Sequence, residues 1–221
     1  DIIKEAQLLV QNGAKEISII AQDITRYGVD LYSKKMLIEL LKRLEKIKGI
    51  RWIRLLYLYP SEIDYELVRY ISESEKILHY FDIPLQHVSD RILADMNRRY
   101  RLKDIYRIIE MIKKYIPDAS LRTSFIIGFP QETDMDFKKM LDFIKEIEFN
   151  YISFFKYSRE KETAAFGMGR VDIKKINERY KDAVEVQSKV VDRINKRMIG
   201  KVYEVLFDSK DFGRSYMDAP D

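Results

Sequence analysis

The stretch Leu121 to Thr133, LRTSFIIGFPQET, decides the fold. Leu121 to Ile127 is apolar and β-branched, long enough to cross a buried sheet. Gly128 and Pro130 stop it. Glu132, Thr133, Asp134 and Asp136 then open a helix, with acidic groups set against its positive end. Strand, tight turn and helix in that order predict a βα unit. In such sheets and barrels ligands collect at the C-terminal ends of the strands. A glycine there lets backbone N–H groups approach a ligand, or does no more than make the turn.

The same unit repeats on either side. Glu16 to Gln22 (EISIIAQ), Arg51 to Tyr59 (RWIRLLYLY), Lys76 to Gln86 and Tyr151 to Ser158 (YISFFKYS) read as strands. Helices are expected at Asp1–Asn12, Ser33–Ile47, after Ser61, at Ser89–Met96, Lys103–Tyr115 and Thr133–Ile147, each with apolar residues at helical spacing. Five strands alternating with helices at intervals of about 30 residues argue a parallel sheet with helices outside it. Five strands cannot close an eight-stranded barrel, so an open, partial parallel βα barrel is expected. Near the end of the third strand, Tyr80, Asp82 and Gln86 alternate with Phe81, Ile83 and Leu85, a polar face that suggests a lumen or cleft. Asp172 caps a long helix to Met198, and Lys201 to Phe207 (KVYEVLF) reads as the first strand of an appended β module. The expected division is therefore 1–171, a partial-barrel core; 172–200, a long helix; and 201–221, a truncated β segment.

Composition bounds the chemistry. The chain has 221 residues, 46% hydrophobic and 34% charged, with a net charge of +4. That charged share exceeds the roughly 25% of an average domain. No apolar run has membrane length and no signal-peptide pattern is present, so no membrane partner is expected and a cytoplasmic location is the default. LKRLEKIKG and NKRMIGK mix signs or sit on helices and read as solvated faces rather than a nucleic-acid block. There is no cysteine, and His79 and His87 are the only histidines. Disulfides, thiolate metal sites and thiol nucleophiles are excluded within this chain, and no metal ligands are assigned. Beginning at Asp1 rather than Met, the chain reads as a fragment.

Five stretches carry a resemblance. AQDITRYGVDLY (Ala21 to Tyr32), LLYLYP (Leu55 to Pro60), FDIPLQH (Phe81 to His87), RTSFIIGFPQET (Arg122 to Thr133) and YSREKETAA (Tyr157 to Ala165) occur in order. Together they resemble the radical S-adenosylmethionine methylthiotransferases over nearly the whole chain. Within that family, FDIPLQHVS and YSREKET are similar to the branch that methylthiolates an aspartate of a small-subunit ribosomal protein. The tRNA-adenosine branch typically has HLPVQSGS and YSPRPGT there. GRSYMDAPD (Gly213 to Asp221) resembles that branch's entry into a small, TRAM-like β-barrel domain.

The resemblance implies a fold, cofactors and roles. It implies the radical SAM partial barrel, S-adenosylmethionine and [4Fe–4S] clusters in the longer parent. A deoxyadenosyl radical there abstracts hydrogen before a methylthio group is inserted at the β-carbon of the aspartate. It implies cofactor contacts at Gln22, Asp23, Arg122, Ser124, Ile126 and Gly128, and substrate contacts at Asp82, Gln86, His87, Tyr157, Ser158 and Thr163. Three departures stand out. Gln131 replaces the family's glycine in GFPGET, where a positive φ would disfavour it. Glu162 stands where glycine is common. The family's Cys-x3-Cys-x2-Cys loop is absent, and a cluster needs thiolates. The fragment is therefore expected to be inactive and to hold neither cluster nor cofactor tightly. Nucleic acid enters only indirectly on this reading. The alternatives are a tRNA-modifying relative and a non-catalytic α/β scaffold.

Overall fold

The computed structural model describes residues 1–169 and 171–218. Of the segment GRSYMDAPD, Ala219 to Asp221 lie outside the described residues, as does Arg170. Two compact units are present, one from residues 1–83, 108–120 and 204–218, the other from 84–107 and 121–203.

The first unit begins with α1 (Ile2–Gln11), β1 (Glu16–Ile19), a one-turn α2 (Val29–Tyr32) and α3 (Leu37–Glu45). It continues with β2 (Trp52–Leu55), α4 (Tyr65–Glu73) and β3 (Tyr80–Asp82). β1 and β2 pair in parallel, Glu16 opposite Trp52 through Ile19 opposite Leu55. Ile77 adds a parallel bridge to Ile53. α3 buries Leu37, Leu40, Leu41 and Leu44 on one stripe; each such side chain contributes about 2 kcal/mol when taken from water.

Several expected elements are shorter than predicted: the strands expected over Glu16–Gln22 and Tyr151–Ser158 end at Ile19 and Lys156. The strand expected over Arg51–Tyr59 ends at Leu55, because Tyr57 turns into the left-handed region at φ +57. The strand expected over Lys76–Gln86 keeps regular pairing only at Tyr80–Asp82. Its Pro84 lacks the N–H a ladder needs, and Gln86 is left-handed at φ +64. The helix expected from Ser33 starts at Leu37, since Ser33 itself sits at φ +53 and ends α2. The alternation of polar and apolar faces over 80–83 does not leave one face wet: Tyr80, Phe81, Asp82 and Ile83 are all buried.

The C-terminal stretch belongs to the first unit's core. The strand expected over Lys201–Phe207 reduces to β6 (Leu206–Phe207), antiparallel to β7 (Gly213–Arg214). Leu206 and Tyr216 pack on Trp52, Leu78 and Tyr80. Arg54 of β2 is wholly buried; its Nε donates to Glu16 at 2.6 Å and its Nη1 to the Tyr216 carbonyl at 2.9 Å. Its guanidinium lies 4.5 Å over the Tyr80 ring. Arg214 Nη1 donates to the other Glu16 oxygen at 2.8 Å, and its remaining nitrogens to Asp208.

The second unit holds α5 (Asp90–Asp95), β4 (Ser120–Ile127), α7 (Asp134–Ile147), β5 (Tyr151–Lys156) and α8 (Ile173–Met198). The helix α6 (Leu102–Tyr115) begins in it. β4 and β5 are parallel, Arg122 opposite Tyr151 through Ile127 opposite Lys156. A parallel bridge joins Gln86 to Phe125. The pairings described within each unit for the first five strands are thus parallel, as the βα repeat predicts. α8 lies on α7 and β5, and its Gln187 donates to the Phe149 carbonyl at 2.9 Å.

Glu16 neutralises two arginines in a site with almost no water. Removing it leaves Arg54 charged and buried without its carboxylate, which costs about 3 kcal/mol or more. Glu16→Ala should therefore lower the urea midpoint sharply and release the 204–218 segment to protease. An unchanged midpoint would show that the buried network carries no stability.

Candidate functional site

The candidate site is built on β4. Leu121, Thr123, Phe125 and Ile127 are buried, whereas Arg122, Ser124 and Ile126 are half-buried on the opposite face. The parallel register sets Tyr151, Ser153 and Phe155 of β5 beside those three. Tyr151 is 40% and Phe155 56% exposed, high for aromatic side chains in a sheet. Gln86 closes the other edge. Its N–H donates to the Ser124 carbonyl at 2.8 Å and its carbonyl accepts from Ile126 N–H at 2.9 Å. Its side-chain amide donates to Ser124 Oγ at 3.3 Å. The result is an open face with a hydroxyl, an amide and a guanidinium set among Ile126, Tyr151 and Phe155. That combination suits an amphipathic ligand: apolar surface for burial, a few polar groups for orientation.

Beneath it the β4–α7 turn is fixed by a buried carboxylate. Gly128 has φ +81 and Gln131 φ +65. The Glu132 side chain is fully buried; its Oε2 accepts the Gly128 N–H at 3.0 Å and its Oε1 accepts from Arg179 Nη1 of α8 at 2.5 Å. Arg179 Nη2 reaches Asp134 at 2.7 Å. His87, also fully buried, places Nε2 3.4 Å from Glu132 Oε2. Its Nδ1 accepts the Ser89 N–H at 2.9 Å, so in the neutral ring the proton sits on Nε2, facing the carboxylate.

A second carboxylate ties the next turn. Asp136 and Thr133 form a reciprocal capping box at the start of α7. Asp136 also accepts from Ser89 Oγ and from Arg91 Nη2, each at 2.6 Å, and Arg91 bonds the Gln131 carbonyl at 2.9 Å. Burial pushes the Asp136 carboxyl up, but the hydrogen bonds from Ser89, Thr133 and Arg91 outweigh it and hold the group well below the usual carboxylate range.

The remaining residues singled out by sequence take varied places. Gly128 donates its N–H to Glu132, and a Cβ there would lie 2.4 Å from Ile176 Cγ1, so close packing of α8 requires the glycine. Gln131 takes a left-handed backbone at φ +65, a conformation that favours glycine. Tyr157 is half-buried with its ring edge-on to Phe129 at 5.3 Å. Ser158 and Thr163 are exposed and both bond Glu160, Ser158 to its carboxylate and Thr163 to its carbonyl. In the first unit, Gln22 is exposed, and Asp23 caps a short 3-10 helix by accepting the Thr25 N–H at 2.9 Å. Asp82 is buried and accepts the Tyr57 N–H at 3.2 Å, holding the left-handed bend after β2. Sequence reasoning gave Glu132 and Asp136 to the helix dipole and did not single out Arg179, Ser89 or Phe155. Glu132 finds its cation 47 residues away, a distance no local pattern spans.

Among the described residues no three His, Cys, Asp or Glu side chains gather to hold a metal ion, and the chain has no thiolate. The residues present therefore do not fit an iron–sulfur cluster. No described helix is long and apolar enough to cross a membrane.

Comparison with known proteins places this geometry. The model of the Radical SAM superfamily matches residues 1–144. The chain belongs to that superfamily. It is 47% identical over its whole length to a protein of Thermosipho africanus named ribosomal protein uS12 methylthiotransferase RimO, covering 53% of that protein. It is 44% identical to the Aquifex aeolicus protein of the same name, again covering 53% of it. The chain thus spans about half the length of these relatives. Among solved structures, the radical SAM enzyme coproporphyrinogen III oxidase of Escherichia coli superposes with a TM-score of 0.65 at 14% identity, over 86% of this chain and 43% of that one. The radical S-adenosylmethionine methyltransferase TsrM of Kitasatospora setae gives 0.56 at 14% identity, over 72% and 31%. These likenesses show the radical SAM fold.

Two outcomes follow from the turn. A non-glycine residue in the left-handed region costs about 1–2 kcal/mol, partly offset by the greater freedom glycine loses on folding. Gln131→Gly should raise stability slightly, by about 0.5 kcal/mol, whereas Gly128→Ala should lower it by about 3 kcal/mol through strain and overpacking on Ile176. Equal effects in thermal unfolding would refute the assignment. Asp136, with its folded pKa depressed, contributes stability above its unfolded pKa of about 4, and that contribution is lost as pH falls through the folded value. Asp136→Asn should lower stability at pH 7 and flatten the acid limb of the pH–stability curve; a parallel acid limb would contradict this.

Proposed function

We propose that this chain is the radical domain core of an enzyme that adds a methylthio group to the β-carbon of an aspartate in small-subunit ribosomal protein uS12. The observation that carries the reading is the correspondence along the entire chain, at 42–47% identity, with proteins of that name. The half-buried β4 face offers polar groups for orientation beside the Tyr151 and Phe155 rings, the mixture an amphipathic cofactor needs. The division into a core over 1–171, a helix over 172–200 and the beginning of a β-barrel domain over 201–221 belongs to the same reading.

S-adenosylmethionine, when bound in such enzymes, supplies the radical that removes an unactivated hydrogen. This chain's part is to bind, orient and exclude water. Arg122 and Ser124 are the candidates for the amino-acid end of the cofactor, and Ile126 for its apolar surface. Gln22 and Asp23 are the first unit's candidates. Gln86, Tyr157, Ser158 and Thr163 are candidates for lining the substrate path. His87 and Asp82, both buried, act as supports within their own units: His87 orders the Ser89 turn in the second, and Asp82 the bend at Tyr57 in the first. Since the chain holds no cysteine, these 221 residues supply no cluster ligand and are expected to be inactive alone.

The test is methylthiolation by the intact protein, read by mass spectrometry on a uS12 peptide and on a tRNA anticodon stem-loop. The peptide should be modified and the RNA not. Arg122→Met and Ser124→Ala should each lower peptide modification at least tenfold, about 1.4 kcal/mol per factor of ten. Modification of the stem-loop alone would transfer the assignment to the tRNA-modifying branch.

A further inference from the structure

The segment Asn97 to Arg107, NRRYRLKDIYR, carries Arg98, Arg99, Arg101, Lys103 and Arg107 against a single Asp104. Its excess equals the +4 of the whole chain. Several charged side chains elsewhere in the second unit form ion pairs, as at Glu132–Arg179, Glu148–Arg193 and Glu148–Arg197. These five cations form none among the described residues. Three nearby acids are engaged elsewhere: Asp90 accepts the Leu102 N–H at 2.7 Å, Asp104 accepts the Arg101 N–H at 2.9 Å, and Asp95 faces Arg91. Arg98 Nε is buried with no acceptor, a donor left unsatisfied at a cost.

The segment is held beside the candidate face. Tyr100, between Arg99 and Arg101, is buried, and its hydroxyl donates to the Leu85 carbonyl at 3.0 Å. Leu85 immediately precedes Gln86, whose amide bonds Ser124. Every exposed position from 97 to 107 is Asn97 or a cation: Arg99, Arg101, Lys103 and Arg107. Lys103 and Arg107, four apart on α6, share one helix face. A protein-docking surface centres on an apolar or aromatic anchor, and here the aromatic residue at the centre points inward. An all-cation rim dominated by guanidinium groups matches a row of phosphates.

We propose that residues 98–107 form a phosphate-gripping rim that holds RNA next to the catalytic face. The choice of RNA rests on the reading above, since a ribosomal protein is met amid RNA backbone; the rim would then orient the particle while the β4 face receives the aspartate. The test measures binding of a fluorescein-labelled single-stranded RNA to the intact protein by anisotropy across a salt series. Arg99→Gln/Arg101→Gln/Lys103→Gln should weaken binding about tenfold or more and reduce the slope of log K against log salt by about 2, near 0.7 for each lost contact. Arg107→Gln alone, on an exposed helix position, should reduce the slope by about 0.7. The matched triple Lys174→Gln/Lys181→Gln/Lys196→Gln on α8 should leave affinity within about twofold, since those lysines stand outside the rim. Equal losses from the two triples would overturn the proposal, as would polyglutamate competing as well as RNA, which would point to an acidic protein. Peptide methylthiolation is scored separately: an unmodified peptide with rim-dependent RNA binding sinks the substrate reading and leaves the rim standing.

Discussion

The second unit depends on the charge of Glu132. A carboxylate with no solvent around it is tolerated only when its oxygens are occupied. Here one oxygen takes the Gly128 N–H and lies near His87, and the other takes Arg179. Three elements are fastened by that one group: the end of β4, the loop that carries His87, and the long helix α8. Gly128 completes the arrangement sterically, since Ile176 occupies the space a side chain would need. The β4 face above is thereby held by a rigid turn, which is what a binding surface requires of its support.

Much of the fold was legible because it rests on local periodicity. The run from Leu121 to Ile127 and the helix start at Thr133 stand where the pattern puts them, and the βα repeat gives parallel pairing. What the residues alone did not show lies in long-range partnership. Apart from Arg54, Trp52 to Tyr59 is apolar or aromatic, yet the strand stops at Leu55 because Asp82 holds Tyr57 in a bend. Asp82 itself reads as a lumen residue by alternation and is buried by its backbone acceptor role. Of the site, Arg122, Ser124 and Ile126 share a half-buried face as their spacing implies. His87 reads as a strand-end donor but is enclosed by a glutamate 45 positions on, and Glu132 reads as a helix-dipole charge though its cation is supplied by α8.

The two buried networks divide the labour differently. Around Glu132 a single carboxylate joins chain segments at one end of β4. Around Arg54 a cation forms the centre, with Glu16, the Tyr80 ring and the Tyr216 carbonyl about it. Neither arrangement buries more apolar surface than well-packed leucines would, and such networks are poor sources of net stability. What they give is geometry: each fixes where several backbone segments end.

The Arg54 network has a consequence for the order in which the molecule acquires its structure. Glu16 waits for Arg214, 198 positions later, and Arg54 for the carbonyl of Tyr216, 162 positions later. Contacts so distant in sequence exact their loop-closure entropy before they return any binding. During synthesis, β1 and β2 leave the ribosome long before the residues that complete and cover the Glu16–Arg54 pair, with that pair and the Trp52 surface still open to water. The first unit is therefore completed by the last described residues of the chain, and its folding is timed by their emergence rather than by that of its own strands.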